Sequence, residues 1–384
     1  MNTPLERPLQ EARRQTDELF RIIRADSLYD RPIPERHRIV FYLGHLEAFD
    51  WNLLARYALD LPAFHPTFDR LFAFGIDPPE GELPNDRPSD WPAVAEVEVY
   101  NQRTREAIDR VLPNIPAGML DAAIEHRLMH AETLAYILHH LPYDRKLAPS
   151  DATSTPGCVP EPRMIEIPAG DAQLGRAAGE GFAWDNEYQA HAVAVPPFSI
   201  SKYKVTNGEY LEFVRAGGPP PFFWVERKGE MYYRAMFREV PLSLDAPVYL
   251  TKCQAEAYAQ WHGGALPTEA QFHRASAGLP PSRNVDFRYW DPLPVTADDD
   301  TADHAPSQMT GNGWEWTSTV FAPFPGFQPL PWYSNYSAPF FDGQHYVLKG
   351  ASPRTAACFL RPSFRNWFRP SYPYIYATFR MVQS

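Results

Sequence analysis

Apolar positions in the first third of the chain recur three and four apart. Leu9, Ala12, Leu19, Phe20 and Ile23 share one helical face, and Val40, Leu43, Phe49, Leu53 and Leu54 share another. A third helix is predicted over residues 93–111 and a fourth over 118–141, where Pro142 stops it. A polar, proline-rich loop at residues 77–92 separates the second from the third. Four helices with one long connection predict a bundle over residues 1–147. Residues 148–162 are small, polar and proline-rich, and read as a linker. From 163 to 384 the pattern changes. Short alternating runs at 164–167 and 191–195 predict strands, residues 207–215 and 252–263 predict helices, and the rest is glycine, proline and aromatic loop. The fold class expected is α+β, a helical bundle followed by a loop-rich domain.

Composition sharpens this picture. The 384 residues include 41 prolines and 14% aromatics, which suits loops held by large buried rings. Lys and Arg number 36 against 47 Asp and Glu, and a net charge of −11 argues against a nucleic-acid partner. No run approaches the roughly 20 apolar residues of a membrane helix, and the N-terminus lacks a secretory apolar segment. Cys158, Cys253 and Cys358 are too far apart for a disulfide framework or a zinc ribbon. No membrane association and a reducing, cytoplasmic location are expected. Oligomeric state is left open.

The segment richest in chemistry is Glu125 to Glu132. His126 and His130 lie four apart in a predicted helix, so both rings project from one face and can grip one ion. Glu132 falls about 200° round the helix from His130 and is expected to support or pack rather than ligate. A third ligand must come from another helix, and His45, inside the apolar run around Leu43 and Leu46, is the candidate. Three neutral imidazoles leave coordination positions open, which suits a redox iron or a hydrolytic zinc. His139 and His140, just before Pro142, are expected to cap the helix.

With these residues in view the chain resembles the ergothioneine-type non-heme iron sulfoxide synthases, the EgtB-like family. His-x3-His-x-Glu with Leu134-Ala135-Tyr136 and Leu141-Pro142-Tyr143 is similar to that family's N-terminal DinB-like bundle. The second half resembles the formylglycine-generating-enzyme (SUMF) fold, with its C-type-lectin-like, loop-rich architecture. It does so at Trp184-Asp185-Asn186-Glu187, Val205-Thr206-Asn207-Gly208-Glu209-Tyr210, Leu266-Pro267-Thr268-Glu269-Ala270, residues 311–317 and residues 361–367. Formylglycine generation itself needs a pair of late cysteines. Only Cys358 lies there, and it is expected to be a small buried residue.

The resemblance implies that His45, His126 and His130 hold Fe(II). It also implies that the iron couples a sulfur or selenium donor to the imidazole of hercynine, the trimethylammonium betaine of histidine, using dioxygen. Asn366 and Trp367 match the family's Asn-Trp pair that lies against hercynine, and aromatic faces suit its quaternary ammonium. Tyr333 and Tyr336 match the region of the family's proton-donating tyrosine, and the choice between them stays open.

Three positions depart from the family pattern. Met129 stands where a hercynine-contacting glutamine is usual, and Gly264-Ala265 replaces a Lys-Arg pair. Phe368 replaces the carboxylate that holds the donor's amino-acid end, and Arg369 follows it directly. An aromatic in that position suits a donor with no amino group to neutralise, which favours the selenosugar-using selenoneine synthase (SenA) branch over cysteine or γ-glutamylcysteine. Other readings are a non-catalytic ligand-binding module, a zinc- or nickel-dependent thiol transferase, and an ovothiol-type conjugating enzyme acting on histidine.

Overall fold

The computed structural model describes residues 6–74, 82–147, 158–297 and 304–383. The chain forms two compact units, Met1–Ser150 and Asp151–Ser384. Residues 148–157 of the expected linker and 77–81 of the expected loop lie outside the described residues.

The first unit contains α1 (Glu6–Arg21), α2 (Ile39–Asp50), α3 (Pro66–Phe74), α4 (Val94–Val111) and α5 (Ala117–His139). The sequence predicts α1, α2, α4 and α5; α3 is the addition. Pro66 at its first position has no N–H to lose there, but nine residues are too few to show a clear period. After Asp50 the second helix continues as a π-helical stretch, Trp51–Tyr57, in which the Ala58 N–H reaches back to the Leu53 carbonyl. α2 and α5 are buried over most of their surface, as central helices are, and bury Glu47, Asp50 and Arg127 among apolar side chains. His140 ends α5, its N–H donating to the Ile137 and Leu138 carbonyls.

Gly44 shows why α2 tolerates a poor helix former. A Cβ there would lie 2.6 Å from the Phe72 ring, so glycine lets α3 pack its aromatic face onto the α2 backbone. This approach later fixes a histidine.

Among its described residues the second unit contains twelve strands, β1 (Met164–Ile167), β2 (Gly170–Leu174), β3 (His191–Val195), β4 (Phe198–Ser201), β5 (Trp224–Arg227), β6 (Glu230–Arg234), β7 (Glu239–Pro241), β8 (Gly313–Val320), β9 (Tyr346–Ala351), β10 (Asn366–Phe368), β11 (Ala377–Thr378) and β12 (Val382–Gln383). They form small sheets in the orders β1-β4-β12, β10-β9-β8-β11, β2-β3 and β5-β6-β7. Three short helices, α6 (Asn207–Arg215), α7 (Lys252–Trp261) and α8 (Glu269–Ser276), all start the same way. Thr206, Thr251 and Thr268 accept from the backbone N–H three residues on, while Glu209, Gln254 and Gln271 accept in return from the threonine N–H.

The strands bury an apolar cluster of Ile165, Ile167, Leu174, Val195, Phe198, Ile200 and Val382 against Phe272 of α8, and large rings and internal ion pairs add to it. Trp184, Trp314 and Trp316 are fully buried. Buried Glu315 accepts from Lys204 at 2.5 Å and from Arg380 at 2.8 Å, and buried Glu269 receives the fork of Arg365 at 3.0 and 3.1 Å. Cys358 corrects the sequence expectation, because it is exposed. The single turn Ala357–Phe359 points Phe359 inward and leaves Ala357 and Cys358 facing out. Among the described residues no helix is long and apolar enough to cross a membrane.

Candidate metal centre

Within the bundle, α2 presents His45, and α5 presents His126 and His130. One ring nitrogen from each lies within 4.8 Å of the other two. The Nε2 atoms of His45 and His130 are 3.1 Å apart. That is the spacing of adjacent ligand atoms about 2.1 Å from a shared ion at a near-right angle.

The surroundings prepare the rings to ligate. His45 Nδ1 donates to the Phe72 carbonyl at 2.6 Å, so in neutral His45 the Nε2 atom carries the lone pair. Phe41, one turn before His45, stacks on it at 4.8 Å and 23°. Phe49, one turn after, stacks on His126 at 3.4 Å and 8°. Burial lowers the His45 pKa to about 4 and pushes His126 and His130 well below the ordinary histidine range. Neutral imidazole is the metal-binding form. The donor set and its wall therefore fit a divalent transition metal.

Phe72 is the functional residue that pattern reading missed. It contributes a backbone carbonyl, which side-chain patterns do not reveal; the one signal available was Gly44 inside an apolar helix. Met129 and Glu132 are half-buried on α5, and Glu132 is not one of the three clustered ligands.

The residues matched in the second unit lie on β10, just after it, and in the loop that precedes β9. β10 carries Asn366, Trp367 and Phe368, paired with Leu348, Val347 and Tyr346 of β9. Trp367 lies flat on Phe321 at 4.4 Å and 7°, and meets the Tyr336 edge at 5.4 Å and 84°. Asn366 Oδ1 accepts from the Trp367 N–H at 2.9 Å. Tyr336 is buried and stacks on Trp184 at 4.2 Å. Tyr333 is half-buried, and burial pushes its phenol up. Ser337 donates to buried Asp185 at 2.5 Å, which ties the tyrosine loop to the Trp184–Glu187 segment. Phe368 stacks on Tyr372 at 5.2 Å and 13°, and Arg369 is exposed.

Family comparison divides the chain in the same way. Residues 9–143 match the DinB superfamily. Residues 150–305 and 294–384 match the sulfatase-modifying factor enzyme 1-like domain. A Mycolicibacterium thermoresistibile protein named hercynine oxygenase is 33% identical over 72% of this chain and 71% of its own. Its Mycolicibacterium smegmatis namesake is 32% identical over 78% and 79%. Ergothioneine biosynthesis protein 1 of Schizosaccharomyces pombe is 28% identical over 95% of this chain, which spans only 54% of that relative's length. The chain therefore belongs to the EgtB-like family, in which a DinB-superfamily bundle precedes a sulfatase-modifying factor enzyme 1-like domain.

Proposed function

We propose that this protein is a non-heme Fe(II), dioxygen-dependent enzyme that forms a carbon–selenium or carbon–sulfur bond on the imidazole ring of hercynine. The observation that carries the reading is the cluster of three neutral imidazoles, buried His45 and His126 with half-buried His130. The names of the relatives, hercynine oxygenase and ergothioneine biosynthesis protein 1, support hercynine as the acceptor. When bound, Fe(II) would supply open coordination positions and one-electron chemistry with dioxygen.

The chain's own residues have separable tasks. The Phe72 carbonyl aims His45, and the phenyl walls of Phe41 and Phe49 exclude water from the ligands. Neutral ligands leave the full dipositive charge to attract a thiolate or selenolate. Trp367, backed by Phe321, offers an aromatic face to the trimethylammonium group, and Asn366 keeps its amide N–H groups for polar contacts with hercynine. Met129, beside His130, fills the place of a polar hercynine contact with an apolar one. Of the two tyrosines, Tyr333 is assigned the proton-donor role. It is half-buried, whereas Tyr336 is buried and wedged between Trp184 and Trp367.

Phe368 points to the donor. Stacked on Tyr372, it offers an apolar ring face where a carboxylate would neutralise an amino group. Sugars lay their C–H faces on such rings, so a selenosugar is the donor proposed, with Arg369 left for its polar groups. The thiol donors cysteine and γ-glutamylcysteine form the second reading, favoured by the ergothioneine name of the yeast relative. A competition among selenosugar, cysteine and γ-glutamylcysteine, with Fe(II), hercynine and dioxygen, separates the two by mass spectrometry. A hercynyl–selenium product is expected. A hercynyl–cysteine sulfoxide would select the second reading, and no product from any donor would remove both.

A further inference from the structure

Arg127, immediately after His126, is fully buried and forks across α2. Its Nη1 donates to Glu47 Oε1 at 3.0 Å, and its Nη2 to Glu47 Oε2 at 2.9 Å, Asp50 Oδ2 at 2.6 Å and the Leu46 carbonyl at 3.2 Å. Nη1 also lies 3.4 Å from Thr16 Oγ1 on α1. Glu47 accepts in addition from Arg105 Nε of α4 at 2.8 Å, and Arg105 forks onto Asp17 of α1 at 2.7 and 2.8 Å. One network thus joins α1, α2, α4 and α5 at the turns of α2 and α5 that carry His45 and His126.

Charges buried this deeply are a poor way to stabilise a bundle, because apolar side chains of similar volume hold helices at least as well. Burial pushes the Glu47 carboxyl up, but Arg127 and Arg105 outweigh it and hold it at about 2. Burial wins at Asp50 and raises its pKa. What directional bonds add to packing is a unique register. Moving α2 along α5 by one turn, or rotating it by one residue, would part Glu47 and Asp50 from Arg127 and strand buried charge. The same movement would carry His45 Nε2 away from His130, and ligand constellations tolerate only about 0.5 Å of error.

We infer that the Arg127–Glu47–Asp50 cluster is a positioning device for the metal centre, locking the axial register and rotation of α2 against α5 so that His45 meets His126 and His130. The inference rests on the reading that these histidines hold a divalent metal.

Co(II), whose visible absorption reports ligand number and geometry, is the probe. It is titrated into the metal-free full-length protein. The triple variant Glu47→Leu, Asp50→Leu, Arg127→Met replaces the charges with apolar side chains. It should keep its helical circular dichroism and cooperative melting, yet bind Co(II) roughly 10–100-fold more weakly with a shifted spectrum. Arg127→Lys keeps the charge but cannot fork, and should weaken Co(II) binding about tenfold, whether or not the triple variant folds. Wild-type affinity and spectrum in the folded triple variant, or in Arg127→Lys, would overturn the inference even if the melting temperature fell. A wild-type protein that binds no Co(II) would instead remove the metal reading, and the inference with it.

Discussion

The bundle and the second unit both bury polar groups, but they resolve the cost differently. In the second unit three deep carboxylates meet opposite charges: Glu187 with Arg361, Glu269 with Arg365, and Glu315 with Arg380 and Lys204. Those pairs lie inside the unit alongside its apolar cluster, with each charge compensated by a neighbour. The bundle also has a charge-paired network, around Arg127. Beside it, however, stand three imidazoles that burial keeps neutral and whose nitrogens converge on one another. Lone-pair donors converging on a common point make poor hydrogen-bond partners and good metal ligands. Internally closed polar burial therefore reads as architecture, and convergent polar burial as a site.

The largest effect that could break this comparison is on metal binding. His126→Ala and His130→Ala should each reduce bound iron to background, as measured by elemental analysis, with helical content retained. Full occupancy in either variant would make the imidazole cluster architectural too. Gly44→Ala tests the support of His45. The new methyl must displace Phe72, which costs about 1–3 kcal/mol of overpacking, partly offset by about 1 kcal/mol of helix propensity. Lower thermal stability should appear together with weaker metal binding, because the Phe72 carbonyl moves; a loss of stability alone would detach that carbonyl from the site.

Smaller effects are expected in the second unit. Trp367→Ala should raise the hercynine dissociation constant by roughly 2–30-fold, the equivalent of about 0.5–2 kcal/mol of cation–π contact, without changing iron content. Equal weakening of hercynine and donor in calorimetry would make Trp367 a packing residue. His273 supplies the smallest test. Burial lowers its pKa from 6.5 to about 3, so the unfolded chain takes up the proton first as pH falls. Its contribution to stability is complete above pH 6.5 and declines toward pH 3, with a slope of at most about 1.4 kcal/mol per pH unit. His273→Gln should flatten that part of the urea-midpoint profile, and an unchanged slope would place the titration elsewhere.

Much of the architecture is legible in the chain because it depends on local periodicity. The apolar spacing of α1, α2, α4 and α5, the alternation of β1 and β3, and the helical runs of α6 and α7 are properties of neighbouring residues, whereas the eight-residue α8 lies in a stretch read as loop. α3 was not legible, because nine residues carry too few turns to establish a period. Nor was the outward face of Cys358, which depends on which way a single turn points.

The sequence by itself determined the residue types of the candidate metal centre and the i, i+4 spacing of His126 and His130, since a helix turns that spacing into a common face. Only the tertiary structure decided that His45 joins them, 85 residues away, with its tautomer set by a carbonyl of α3. The physical reason is range. Periodicity is written in backbone geometry over a few residues, whereas convergence of two helices depends on packing a glycine against a phenyl ring and on closing a buried charge network across four helices.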